Sequence, residues 1–218
     1  MDEHAEKPLL VVSFATIGTP YEAEAEHLRE SLVEHGQRFT ISQVADLGSW
    51  EANTGFKATF LRQMLQLHGR RWNLLWIDCD AVIRGPLDFL GLIDADVDVA
   101  AHIRKGRELM SGTVFLRHTM ATMAVMDRWI ELVRRRPRRM EQANLWDAIK
   151  ATPEIRFAEL PAAYCFVFDT FRESCPGVEP VIEHFQASRK YRRKNAKGGK
   201  NKDFNAKGAK SEACLMSP

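Results

Sequence analysis

Two aspartates separated by one residue, Asp78-Cys79-Asp80, stand directly after the apolar run Asn73 to Ile77, NLLWI. Carboxylates in this pattern can share a divalent cation, and Mg²⁺ and Mn²⁺ prefer such oxygen ligands. A cation held there acts as a Lewis acid toward a departing diphosphate, which is what sugar transfer from a nucleoside diphosphate needs. Residues along a strand alternate sides, so Asp-x-Asp places both carboxylates on one face and turns Cys79 away. The plainer reading is a strand-terminal turn in which both side chains cap backbone N–H groups. A bare Asp-x-Asp is common. This one has a strand leading into it and Ala81-Val82-Ile83-Arg84-Gly85-Pro86-Leu87 following.

The elements that must position the pair follow from apolar periodicity. Leu9 to Phe14 is a continuous apolar run, as in a strand buried on both faces of a parallel sheet. The loop Ala15 to Tyr21 follows it. From Glu22 the pattern turns helical, with Ala25, Leu28 and Leu32 on one face and Gly36 as the stop. Phe39 to Val44 alternates like a strand, 46–55 reads as a polar loop, and Phe56 to Leu65 marks a helix ending at Gly69. Val97 to Ala101 and Met110 to Leu116 read as strands, Thr119 to Val133 and Glu141 to Lys150 as helices. Ile155 to Leu160 and Val181 to Glu183 read as short strands. Alternation of this kind predicts an α/β sandwich, Rossmann-like, with a mainly parallel sheet flanked by helices. Ligands of such sheets bind beyond the carboxyl ends of the strands, where the 15–21 loop and residues 78–80 both fall. Within that loop Ala15, Thr16 and Tyr21 are candidates for the base and ribose of a nucleotide. Lys57 is a candidate for the donor phosphates, against the plainer reading of a solvated helix lysine.

Composition narrows the class. The 218 residues carry a net charge of +2, and 45% of them are hydrophobic. That is enough for one substantial domain with a real core. Charge is unevenly spread. From Arg189 to Pro218 ten Lys/Arg stand against two acidic residues, while the preceding 188 residues hold 21 basic and 27 acidic side chains. We expect one domain over residues 1–193 and a basic, disordered tail over 194–218, rich in Lys, Gly, Asn and Ala. The four cysteines form no Cys-x-x-Cys pair, which argues against a zinc site or a disulfide scaffold. The charged N-terminus precedes an apolar run far shorter than the ~20 residues of a membrane span, so a cytoplasmic protein without membrane anchor is expected.

The segment Leu74 to Leu87 resembles the aspartate-bearing segment of GT-A glycosyltransferases, those of the glycogenin and galactosyltransferase group (family eight) and the related nucleotide-diphospho-sugar transferases. Met110 to Leu116 is similar to their strand bordering the acceptor side. Glu141-Gln142 resembles their Asp-Gln pair, with Glu for Asp, and Glu183-His184-Phe185 their late histidine. The family-eight ending with its Gly and Pro-Trp is absent after His184. The resemblance covers residues 9 to 193 in pieces. It implies a GT-A fold and a nucleoside-diphosphate sugar, a UDP-sugar first, as donor. It implies Mn²⁺ or Mg²⁺ on Asp78, Asp80 and His184, and catalytic roles for Glu141 and Gln142. Ser111, Gly112 and Thr113 would border the sugar, and Arg189 and Lys190 would pair with the diphosphate.

Two other classes compete. A sugar-phosphate nucleotidyltransferase shares the architecture but needs a Gly-rich loop after the first strand, which residues 15–20 lack. A non-catalytic nucleic-acid-binding protein would act through the basic tail alone. The tail and the run Arg134-Arg135-Arg136-Pro137-Arg138-Arg139 are equally a polyanion-binding composition and a solubilising one. On the first reading the acceptor is DNA, with a hydroxymethylated base as the target, a modification that some bacteriophages encode.

Overall fold

Buried apolar runs become the centre of the sheet, and amphipathic segments cover it. The computed structural model describes residues 7–88, 93–171, 175 and 177–187. The first half alternates strand and helix: β1 (Leu9–Thr16), α1 (Tyr21–Glu34), β2 (Phe39–Val44), α2 (Trp50–His68) and β3 (Asn73–Ile77). A short strand β4 (Ala81–Ile83) follows, then the hairpin β5 (Val99–Arg104) and β6 (Glu108–Leu116). The helices α3 (Met120–Arg135) and α4 (Glu141–Lys150) come next. The short strands β7 (Phe157–Glu159), β8 (Phe166–Val167) and β9 (Ile182–His184) complete the order.

The main sheet has the order β2-β1-β3-β6-β5-β7. β1 runs parallel to both β2 and β3, and β5 parallel to β7, while β6 is antiparallel to β3 and β5. The expected α/β sandwich with a mainly parallel sheet is therefore present, with β6 as its reversed strand. A second sheet, β4-β9-β8, shares no strand with the first and carries the late histidine. No helix among the described residues is long and apolar enough to cross a membrane. The boundary at 193 and the tail beyond it fall outside the described residues.

Several boundaries differ from the periodicity. The polar stretch 46–55 is not all loop, because α2 begins at Trp50. Ser49 caps it by accepting from Ala52 N at 3.1 Å, and Asn53 Oδ1 accepts from Leu47 N. Its first turns are polar because they face solvent and the cap, so no apolar stripe announces them. β1 extends two residues further than its apolar run, burying Ala15 and Thr16 within the strand. β5 starts two residues later than expected and runs to Arg104. Its register shifts between Ala101 and His102, the mark of a bulge. β4 and β8 are too short to show a period.

One aromatic cluster joins α2 to the sheet. Phe14 meets Phe60 edge-on at 5.1 Å, and Phe60 meets Trp76 at 5.8 Å, with Phe56 against Phe14. Such pairs add ~0.5–1.5 kcal/mol each beyond the area they bury. Phe60 lies one turn after Lys57 on the same helix, so the cluster also fixes where that lysine points. Phe60→Ala is expected to cost about 3–5 kcal/mol in urea unfolding. A loss below ~1 kcal/mol would show that α2 is not anchored by this cluster.

Candidate active site

The site grows from the end of β3. The strand stops at Ile77, and Asp78 N donates to Gly112 O at 2.8 Å across to β6. Ala81 N then donates to Asp78 O at 3.1 Å, so 78–80 form a turn rather than more strand. Strand alternation is thus not what brings the aspartates together. The turn does it, and the antiparallel pairing of β4 with β9 sets Ala81 opposite His184. One ligand atom each from Asp78, Asp80 and His184 lie within 4.8 Å of one another.

Each group is held by identifiable bonds. Asp80 Oδ2 accepts from Ala187 N at 2.7 Å, and Asp80 O accepts from Phe185 N at 3.0 Å. His184 Nε2 lies 2.9 Å from Thr113 Oγ1. Gly112 sits under the imidazole, and a Cβ there would come within 2.9 Å of Cε1. Asp78 Oδ1 accepts from the indole Nε1 of Trp76 at 2.9 Å. Burial, and then the neighbouring Asp78 carboxylate, push the Asp80 carboxyl up to about 7. Burial lowers the His184 imidazole to about 4, which leaves it neutral and able to donate a lone pair. Two carboxylates crowded together with a neutral imidazole fit a divalent cation, whose charge would relieve the repulsion.

Lys57 is not on an exposed face. It is buried at 4% exposure, with Nζ 2.8 Å from Asp78 Oδ1 and 2.9 Å from Glu141 Oε1, and it lies over the Trp76 ring. Burial acts to lower its pKa, but the two carboxylates outweigh that and raise it, so it is a permanent cation. The structure thus places Lys57 between the aspartate turn and α4, not open to incoming phosphates. Ser111 Oγ donates to Glu141 Oε1 at 2.6 Å. Burial raises the Glu141 carboxyl, against the pull of Lys57, and its Oε2 is buried with no hydrogen-bond partner among the described residues. Gln142 Nε2 donates to Glu108 Oε1 at 2.7 Å.

The sequence candidates therefore fall into groups. Asp78, Asp80 and His184 converge, and Lys57, Ser111 and Glu141 form a bonded set attached to Asp78. Gly112 and Thr113 support His184 rather than facing open space. Ala15 and Thr16 are buried strand residues, and the turn after them is closed by the bond between the Thr16 and Thr19 hydroxyls at 2.8 Å. Tyr21 opens α1. Arg189 and Lys190 lie outside the described residues. Sequence reasoning missed Trp76, whose indole, two residues before Asp78, donates to its carboxylate. An aromatic N–H at that spacing was the available signal.

No family model matches the chain, and no curated protein matches it in sequence. Solved structures match it in fold. A glycosyltransferase involved in the glycosylation of the major capsid of PBCV-1 superposes with a TM-score of 0.67 at 16% identity. That match covers 87% of this chain and 99% of the other. The galactosyltransferase LgtC, solved with donor and acceptor sugar analogues, gives 0.54 at 12% identity over 81% of this chain and 87% of that one. The bifunctional glycosyltransferase WbbM gives 0.55 at 12% identity, covering 85% of this chain and 47% of that one. The chain has the GT-A fold that these glycosyltransferases share.

Two substitutions probe the geometry. Lys57→Met leaves the buried carboxylate of Glu141 without its cation and should cost about 3–5 kcal/mol in denaturant unfolding, of which Lys57→Met with Glu141→Gln should recover part. Additive losses would mean the pair is not linked. Gly112→Ala should displace the imidazole and weaken Mn²⁺ binding at least about tenfold by calorimetry, with His184→Ala as the reference for complete loss. Unchanged Mn²⁺ affinity in Gly112→Ala would remove His184 from the candidate cation site.

Proposed function

We propose that the protein transfers a sugar from a nucleoside-diphosphate donor, a UDP-sugar in the first instance, to an acceptor hydroxyl in a metal-dependent reaction. The observation that carries this reading is the convergence of Asp78, Asp80 and His184 at the carboxyl end of a central strand, in a fold shared with glycosyltransferases. Asp78, Asp80 and His184 would hold the cation. When bound, it supplies positive charge against the negative charge of the leaving diphosphate. The oxygen pair suits Mg²⁺ or Mn²⁺, and the imidazole favours Mn²⁺ of the two.

The chain's own residues supply orientation. Lys57 and Trp76 fix Asp78 through one oxygen, Oδ1, and leave its other oxygen for the cation. Glu141 is oriented by Lys57 and Ser111 through Oε1, and we assign it to the reacting sugar. Gln142, beside it, is the second residue we assign to the reacting sugar. The turn after β1 and Tyr21 would receive the base and ribose, and Arg189 and Lys190 the diphosphate. The acceptor we favour is DNA bearing hydroxymethylated pyrimidines, in a cytoplasmic setting, with 1–193 as the catalytic unit and 194–218 as a basic tail. The support for that acceptor is charge: ten basic against two acidic residues from Arg189 onward.

Incubation with one purified nucleotide sugar at a time, with Mn²⁺, Mg²⁺ or excess EDTA, tests the donor half. Asp80→Asn should lower donor turnover by about 10²–10³-fold, equivalent to ~2.7–4 kcal/mol, with circular dichroism unchanged. Asp78→Asn should lower it as far and also lose stability through its tie to Lys57. Wild-type turnover by Asp80→Asn in excess EDTA would sink the reading. Release of pyrophosphate from a nucleoside triphosphate and a sugar 1-phosphate would instead identify a nucleotidyltransferase.

A further inference from the structure

The arginine run of the sequence leads directly into α4, whose first residues are Glu141 and Gln142. α4 begins at Glu141, directly after Arg134 to Met140, and every residue of that stretch is exposed. Asp147 takes Arg136 at 3.1 Å, Arg139 at 2.8 Å and Lys150 at 3.4 Å, so one carboxylate faces three cations. Arg135 pairs with Glu131, whereas Arg134 and Arg138 have no acidic partner among the described residues.

A second basic group comes from a different part of the chain. The turn between β5 and β6 reads Arg104-Lys105-Gly106-Arg107, with Lys105 and Gly106 in the left-handed region at φ 52° and 64°. Arg104 pairs with Glu108, and Lys105 and Arg107 are exposed without an acidic partner among the described residues. The bond from Gln142 to Glu108 and that from Ser111 to Glu141 bring this turn to the same end of α4 as the arginine run. Two runs of cations far apart in sequence thus both adjoin the start of α4, where the residues assigned to the reacting sugar lie.

We propose that this rim, Lys105 and Arg107 on one loop with Arg134 and Arg138 on the other, binds single-stranded nucleic acid along its phosphates. The proposal rests on the glycosyl-transfer reading only for its purpose, which is to deliver an acceptor base to the site. Guanidinium forks pair with phosphate in two parallel bonds, and unpaired cations on a rim carry no competing internal partner to displace. Met140, 49% exposed between Arg139 and Glu141, adds an apolar surface of the sort an unstacked base covers. An acidic polysaccharide has no such flat apolar group. A base within a duplex cannot reach a site at a sheet edge, so the strand must be single or the base flipped.

The test uses the full chain and a labelled single-stranded DNA of about 20 nucleotides, read by fluorescence anisotropy at ~50 and ~200 mM salt. The variant carries Lys105→Glu, Arg107→Glu, Arg134→Glu and Arg138→Glu together, and a matching variant carries Gln at all four. None of the four is bonded to Asp78, Asp80, His184 or Glu141. Binding should weaken at least tenfold in the Glu variant and less in the Gln variant. The dependence of log affinity on log salt should flatten by about 2–3, since each lost single-strand phosphate contact removes ~0.7. Metal-dependent donor hydrolysis by water should stay at the wild-type rate. Should the Glu variant lose its circular dichroism, the Gln variant decides. Wild-type affinity in both variants overturns the proposal, since binding would then belong to the basic C-terminal stretch. Equal wild-type affinity for heparin and for DNA overturns it too. If DNA binding depends on the rim while no donor is turned over, the transfer reading falls and the surface stands.

Discussion

Lys57 is a full positive charge taken out of water and surrounded by two carboxylates, a hydroxyl and an indole ring. An ammonium left alone in that position would cost several kcal/mol, so the arrangement persists only if Asp78 and Glu141 stay charged and in place. Three elements are therefore tied at one atom: the end of β3, the middle of α2 and the first residue of α4. The aspartate turn inherits its rigidity from this tie, because Asp78 can rotate only by giving up both Lys57 and Trp76. Glu141 is held in the same way, with Ser111 completing the set from β6.

The candidate cation site uses the opposite arrangement. Neither Asp80 nor His184 forms an ion pair among the described residues, and Lys57 acts on both less strongly than burial. Burial therefore raises the carboxyl of the first and lowers the imidazole of the second. One half of the site is neutralised by the chain itself, and the other half is left short of positive charge. Asp78 belongs to both halves, with one oxygen fixed by the lysine and indole.

Much of the fold could be read from the residues. Leu9 to Phe14 and Asn73 to Ile77 announce strands buried on both faces, and the heavy apolar stripes of α1 and α3 announce helices. The first turns of α2 were hidden because Glu51 to Thr54 serve cap and solvent rather than the core. β4 and β8, at three and two residues, exist only through pairing with β9 and have no period of their own. At the site, Asp78, Asp80 and His184 were legible through spacing and resemblance. Lys57 was legible as a residue of interest but not in its bonds, since a lysine buried between two carboxylates looks in sequence like any helix lysine. Trp76 was read only as part of an apolar run, which hides that its ring nitrogen is a donor.

The small sheet has a consequence for how the protein comes into being. β4 follows the aspartate turn immediately, yet both strands that share its sheet arrive at the end of the domain: β9 pairs with it directly and β8 with β9. A ribosome releasing this chain from its N-terminus will have exposed Asp78 and Asp80 long before His184 emerges. Through that interval the early carboxylates have only Lys57, and no imidazole, to face. Convergence of the three side chains is thereby deferred until β9 docks on β4 and supplies the nitrogen. The nascent protein is in this sense timed: the three groups meet only after a late strand has joined an early one.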